Sequence, residues 1–585
     1  MSRILGIDLG TSTTSVALVR EGKPVVIPAV RGSKVTPSYI YVMDDGRITV
    51  GENAKIEAIA DPYNTIWATK RLIGRAYKDP HVQECLEKLS YRIVASDKGG
   101  VAVQGREKFF SPIKVASLIL KYVSRLSANF TGEEPKKAVI TVPASFNDLQ
   151  RKATKQAGEN IGLEIIRLVN EPTASALAWG YDKDAESTVA IYDLGGGTFD
   201  VSILAIGKGV YEVLATRGDS WLGGEDFDER LVNYVVKMFK SHYQINILND
   251  KMAHQRLKNA AENAKIELST KESTRIFIPA ICPDMDRNAD VDYRITRSHF
   301  EGMVEDLVKN TIETFERTIA DADLEKDELD NIILVGGMTR LPIVRRMIEE
   351  FLGRPADYSV DPDLAVAIGA AIHAASLEGE EIALAPPPSL RRKAAGPKAE
   401  GPMPPVAAPP PRLPSPGHPG TEWSHEQDAA DEPIAMAPAE EPAEEPAGAA
   451  EGVKQAAPLL PALKGKAPLL IDVVSQSVGI SDMAGLFVPI IPRNTKLPAK
   501  LSQVFTTAMD NQEAIRISIY QGEGQYVKNI VLLGEFSLRG IETAARGLPQ
   551  IIVTFNIDQS GLFTVSAKDL KTNVQKEITV EGAKL

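Results

Sequence analysis

The sequence predicts an α/β protein built from two duplicated halves and joined to a separate all-β module, and three observations carry that prediction. Short β-rich apolar runs alternate with longer helix-like stretches over roughly the first 380 residues. Within that stretch one design, an apolar strand ending in a carboxylate and a glycine turn, occurs twice. From Pro468 onward, alternating apolar and polar runs are separated by turn residues.

The 585 residues exceed one hydrophobic core, since a domain usually takes ~100–200 residues. A net charge of -12 argues against a general electrostatic grip on nucleic acid or anionic lipid, so neither is expected as a partner. Cys85 and Cys282 are the only cysteines and have no metal-ligand spacing; they read as buried free thiols in a reducing compartment. The start Met1-Ser-Arg-Ile lacks the ~7–15 apolar residues of a secretory signal. No run approaches the ~18 apolar residues of a membrane span. A cytoplasmic, monomeric protein is the expectation.

The α/β part, expected over 1–380, is exemplified by strand Lys137 to Val142, helix Asn147 to Ile161 and strand Glu164 to Val169. Residues 385–466 turn to Pro, Ala, Gly and Glu, a composition that cannot bury enough apolar surface to offset its ordering entropy, and read as a disordered linker. The β module, expected over 467–585, has strands at Ala514 to Tyr520, Gln550 to Ile557, Leu562 to Ala567 and Gln575 to Val580. Asp510-Asn511, Gln521-Gly522 and Ser560-Gly561 supply its turns.

The repeated design is Ile4-Leu-Gly-Ile-Asp8-Leu-Gly10-Thr11-Ser12-Thr13 and Ala190-Ile-Tyr-Asp193-Leu-Gly195-Gly196-Gly197-Thr198-Phe-Asp200. Glycines let backbone N–H groups approach phosphate oxygens, and an Asp at each strand end can hold hydrated Mg²⁺ through water. Two such hairpins face to face would clamp a triphosphate. A third glycine element, Gly336-Gly337 after the apolar run Ile332 to Val335, offers bare backbone to a base or ribose. Neither a Walker A sequence nor a helix-opening GxGxxG is present.

These residues resemble the heat shock protein 70 (DnaK-type) chaperones of the actin and sugar-kinase superfamily. So do Lys70-Arg-Leu-Ile-Gly-Arg75, Val139 to Arg151, Asn170-Glu171-Pro172, Leu222 to Asp228 and Asp361 to Gly369. The resemblance implies an actin-like, ribonuclease H-like duplicated ATPase domain and a β-sandwich that binds peptides. ATP or ADP and Mg²⁺ are the implied cofactors, with K⁺ as an optional addition. Asp8, Asp193 and Glu171 would organise Mg²⁺, and Lys70 would reach the γ-phosphate. Gly10, Thr11, Ser12, Thr13, Gly195, Gly196, Gly197 and Thr198 would cradle phosphates, with Asp200 near the attacking water. Glu262, Lys265 and Ser269, on one helix face, would surround adenosine with Gly336, Gly337, Arg340 and Asp363. Without the surrounding matches, Lys70 reads first as a solvated surface lysine, and Glu262/Lys265 as a helix pair worth ~0.2–0.5 kcal/mol.

Pro143 and Arg151 match positions that relay nucleotide state in the family. Arg167, Asn170 and Asp472 match positions that receive a J-domain cochaperone, although the family's usual large residue is Ser145 here. A nucleotide exchange factor is implied as well. Leu469-Leu470-Ile471-Asp472 matches the short apolar interdomain linker, preceded by the Pro/Ala-rich insert. Lengthening the loop from ~10 to ~80 residues would cost docking ~2 kcal/mol, and the insert itself is an alternative partner-binding segment.

In the β module, Ile480, Phe505, Ile515 and Ile517 would line a pocket for a Leu-like side chain of an extended peptide, under an arch of Met483 and Ala508. Simple core filling is the alternative, above all for Phe505 and Ile517. The family's helical lid is not found before the chain ends, so fast-exchanging clients are expected. The expectation is an ATP-dependent chaperone binding extended hydrophobic segments of unfolded proteins. An ATP-regulated scaffold for one dedicated partner is the second reading, and a sugar or acetate kinase the third.

Overall fold

The computed structural model describes residues 4–180, 186–281, 289–378, 468–482 and 484–579, which belong to one compact unit. The expected linker at 385–466, Cys282 and Met483 lie outside the described residues.

Two sheets of the same design organise the N-terminal part. In the first, the order is Glu164–Asn170, Lys137–Val142, Ile4–Leu9, Thr13–Arg20 and Lys23–Val26, with Thr36–Pro37 beside Thr13–Arg20. In the second it is Asn331–Val335, Ser187–Leu194, Phe199–Gly207, Val210–Asp219 and Leu469–Ile471. In each, an antiparallel three-strand meander carries a parallel strand on the far side of its first strand, Lys137 opposite Ile4 and Asn331 opposite Val189. The parallel strands are apolar runs buried on both faces, as a covered sheet requires.

Two helices lie between these sheets. Ala365–Leu377 packs on Ile4–Leu9 and Glu171–Gly180 on the second sheet, and the two helices touch each other. Gly369 is where they meet, since a Cβ there would lie 1.7 Å from the Ala174 carbonyl oxygen. Ala365–Leu377 is buried nearly all round, which explains its uniformly small and apolar sequence.

Local signals set the element ends. The helix expected at Asn147 to Ile161 runs Asp148–Glu159, and Asn147 and Gln150 form a reciprocal capping box. The strand after it extends one residue further than expected, to Asn170.

The C-terminal module has two four-stranded antiparallel sheets, Phe487–Ile491, Val478–Ser481, Ala514–Gln521, Val531–Arg539 and Ala499–Phe505, Ile551–Ile557, Phe563–Asp569, Gln575–Thr579. Both contribute to one apolar core that includes Val478, Ile519, Phe536, Phe555 and Phe563. Each fully buried side chain of this kind stabilises by ~1.5–3 kcal/mol. Asn511 (φ 53) and Gly561 (φ 74) take left-handed backbone at two expected turns.

Candidate functional site

The two glycine hairpins meet tip to tip. A Cβ on Gly196 would lie 2.2 Å from Ser12 Oγ, and one on Gly197 2.7 Å from Thr11 Cγ2, so the tips touch because these positions lack side chains. The cleft beside them is lined by Asp8, Gly10, Thr11, Ser12, Thr13, Lys70, Glu171, Asp193 and Gly195 to Thr198, with Gly336, Gly337 and Asp363 closing one side. Asp200 is the exception. It does not line this cleft; its carboxylate is 1% exposed and accepts the Ser145 N–H at 3.0 Å.

Inside the cleft, Lys70 Nζ donates to Glu171 Oε1 at 2.6 Å, and both side chains are buried. Lys70 is presented by the turn Thr69–Arg71, which follows Ala68 in left-handed backbone at φ 55. Burial, reinforced by Glu171, pushes the Asp8 carboxyl up to about 7, against the pull of Lys70 and of the Thr141 hydroxyl 3.5 Å away. Asp193 is raised well above the usual carboxylate range by burial, then by Glu171, Asp200 and Asp8. Crowded, desolvated carboxylates with one ammonium favour added positive charge, which fits a hydrated divalent cation. Among the described residues no group of three His, Cys, Asp or Glu could hold a metal ion directly.

The expected adenosine residues divide among neighbouring spaces. Ser269 and Arg340 line an open groove with Tyr358. Glu262 and Lys265 line an adjoining pocket with Ser12, Tyr39 and Gly196. Lys265 is anchored, Nζ to Asp228 Oδ2 at 2.9 Å and to the Gly224 carbonyl at 3.0 Å. Arg340 donates to Asp363 at 2.6 Å and to Asp361 at 2.8 Å. Glu262 pairs with Lys55 at 3.0 Å rather than with Lys265, so the helix-pair alternative does not describe it.

Three participants escaped sequence reasoning. Lys55 reaches Glu262 from 207 positions away, Thr141 faces Asp8, and Arg71 forms buried ion pairs with Asp226 at 2.9 Å and Glu225 at 3.6 Å. Arg71 and Thr141 stand inside motifs already singled out; only their burial and partners distinguish them from neighbours.

A seam joins the N-terminal part to the β module. Leu469–Ile471 extends the second sheet in parallel with Val210, Tyr211 and Glu212. Arg151, 6% exposed, donates to Asn170 Oδ1 at 2.7 Å, to the Phe146 and Ala144 carbonyls, and across the seam to Ser560 O at 3.3 Å. Asp148 accepts Phe563 N–H at 2.8 Å and donates its own N–H to Gln521 at 3.0 Å. Arg167 reaches Gln559 O at 3.5 Å, Thr173 donates to Asp472 at 3.2 Å, and Arg493 pairs with Asp321 at 2.6 Å. Pro143 opens the segment that carries Ser145 and Arg151. Ser145, which stands where the family usually has a large residue, is 8% exposed and faces Asp200 and Ser220.

In the β module, Ile515 and Ile517 belong to the core, with Ile480 and Phe505 half-buried against it. Ala508 is exposed in a loop stitched by Gln512 Oε1, which accepts the N–H groups of Ala508 and Met509 at 3.1 and 3.3 Å. Core filling therefore accounts for Ile515 and Ile517, while Phe505 retains accessible surface.

Among the described residues no helix is long and apolar enough to cross a membrane. A family model described as Hsp70 protein matches residues 4–385 and 446–585, most of the chain.

Proposed function

The chain belongs to the Hsp70 family of chaperones, and we propose that it hydrolyses ATP at the hairpin cleft and uses the seam to switch the affinity of its β module for extended peptides. The proposed organisation is an actin-like ATPase domain over 1–380, a linker over 385–466 and a β-sandwich peptide-binding domain over 467–585.

The observation that supports this reading most is the contiguity of cleft and seam. Ser145 contacts Asp200, and six residues on Arg151 contacts Ser560 of the β module. A rigid segment carrying both contacts gives each site a stake in the other's arrangement.

At the cleft, backbone N–H groups of the two glycine turns would hold phosphate oxygens, and Lys70 would leave Glu171 to reach the γ-phosphate. Asp8, Glu171 and Asp193 would hold the waters of Mg²⁺, which when bound supplies charge neutralisation at the phosphates. Phosphoryl transfer to water needs chiefly positioning and charge, and this set supplies both. Glu262, Lys265, Ser269, Gly336, Gly337, Arg340 and Asp363 are the proposed adenosine contacts. Phe505, Ile480 and Ala508 are the proposed peptide contacts, with Ile515 and Ile517 as the pocket floor. Unfolded peptide segments and a J-domain cochaperone are the proposed partners.

Release of a fluorescent hydrophobic peptide tests the switch. ATP should accelerate release relative to ADP, and equal rates with both nucleotides would overturn it.

A further inference from the structure

We propose that Trp221 is a clasp between the two halves that sets how fast nucleotide leaves the cleft; this rests on the ATPase reading above. Trp221 stands between strand Val210–Asp219 and helix Gly224–Tyr243, and so belongs to the half built on the second sheet. Its indole nevertheless packs against the apolar core of the first half. There it stacks on the His81 imidazole, with ring centroids 4.6 Å apart and planes 15° from parallel. The Arg75 guanidinium carbon lies 4.7 Å from the indole centroid as well. His81 sits in the first turn of helix Pro80–Lys88, whose Val82 and Cys85 are part of that first-half core. Asp79 caps this helix by accepting the His81 N–H at 3.0 Å, and it pairs with Arg75 at 2.8 Å. One indole of the second half is therefore held by two first-half groups that are themselves tied together.

A short path joins Trp221 to the phosphate side. Two residues on, Gly223 lies against the second glycine hairpin, where a Cβ would be 2.5 Å from the Gly197 nitrogen. The Gly224 N–H donates to the Gly195 carbonyl and the Glu225 N–H to the Gly196 carbonyl, each at 2.9 Å. The hairpin cannot draw back from the first half without carrying Trp221 along. The cleft is lined from both halves, by Asp8 and Lys70 of the first and Asp193 and Gly196 of the second, so a ligand gripped there leaves when the halves part. Parting them pulls Trp221 off His81 and Arg75, which exposes the indole to water and breaks both a stacked pair and a cation–π contact. Tyr234 and His299 supply the internal comparison. Their rings also touch, at 4.8 Å, but their helices Gly224–Tyr243 and Arg297–Asp321 lie in the same half, so opening the cleft leaves that pair intact.

The test is stopped-flow release of a fluorescent ADP from the full chain. Wild type is compared with Trp221→Ala, Trp221→Phe, His81→Ala, the double variant Trp221→Ala/His81→Ala and Tyr234→Ala. Release should be about 10-fold faster in Trp221→Ala, which loses both contacts, and about 3-fold faster in His81→Ala, which loses only the stack. The double variant should stay within about 2-fold of Trp221→Ala, since the two substitutions remove one shared contact. Trp221→Phe, which keeps a ring, should stay within about 3-fold of wild type. Tyr234→Ala should release at the wild-type rate. His81, whose side chain is 45% exposed, decides the matter if Trp221→Ala fails to fold. A wild-type rate in Trp221→Ala or in His81→Ala, multiplied effects in the double variant, or equal acceleration by Tyr234→Ala would overturn the clasp, while ADP binding by wild type leaves the nucleotide reading standing. No binding of ADP by wild type would overturn both.

Discussion

Replacing Leu470 by Ala probes the seam at the point where the β module's leading strand joins the N-terminal part. Leu470 is 7% exposed, sits opposite Tyr211 in the sheet, and belongs to the core cluster that holds Tyr211, Val213 and Ile206. Losing a buried Leu side chain costs ~2–5 kcal/mol in a closed core. At a sheet edge that can relax, ~2–3 kcal/mol is the appropriate part of that range. The docking equilibrium should then weaken by ~30–150-fold, at tenfold per 1.4 kcal/mol. Amide hydrogen exchange reads this out, because the Leu469 N–H is bound to the Gly209 carbonyl at 2.8 Å only while the strand is docked. In the presence of ATP, Leu470→Ala should expose the amides of Leu469–Ile471 and leave the core strand Ile551–Ile557 protected. Leu532→Ala, at a site 45% exposed, should change neither. Protection at Leu469–Ile471 equal to wild type in Leu470→Ala would refute the energetic argument.

Lys55→Ala should speed nucleotide dissociation about 1.5- to 5-fold, because it removes a partly exposed bridge to Glu262 of the ~0.2–1 kcal/mol kind; stopped-flow release of a fluorescent ADP checks it. Gly369→Ala should destabilise the N-terminal part by more than ~3 kcal/mol in urea unfolding, since its Cβ would overlap the Ala174 carbonyl. His373 gives a pH dependence. Burial, helped by Arg167, pushes its imidazole down to about 3, whereas the unfolded chain protonates near ~6.5. The unfolded state therefore binds the proton first, and stability falls as pH drops from ~6.5 toward 3, at up to ~1.4 kcal/mol per unit. Between pH 7 and 5, His373→Gln should lose ~2 kcal/mol less than wild type in urea denaturation; equal losses would contradict the assignment.

Local chemistry made much of the fold legible. Alternation and capping residues bounded Lys137–Val142 and Asp148–Glu159 within a residue or two, because strand period and the Asn147/Gln150 box act over a few positions. The glycine hairpins were legible for the same reason, and their facing tips followed from the repeated design. What the sequence did not disclose is long-range. Arg151 meets Ser560 across 409 positions, and Lys55 meets Glu262 across 207. Neither pairing leaves a periodic trace. The contact of Ser145 with Asp200, 55 positions apart, is of the same long-range kind. Ile515 and Ile517 read equally well as core or pocket, since both need apolar side chains on the same face of a strand.

The central claim is that one cleft hydrolyses ATP and that the β module responds to it. The most direct measurement is steady-state ATP turnover by the full chain with and without a hydrophobic peptide, for wild type and Lys70→Ala. The account predicts basal turnover in wild type, stimulation by the peptide, and loss of turnover in Lys70→Ala with ATP binding retained. Absence of basal turnover would contradict the hydrolytic cleft, and turnover indifferent to the peptide would contradict the coupling.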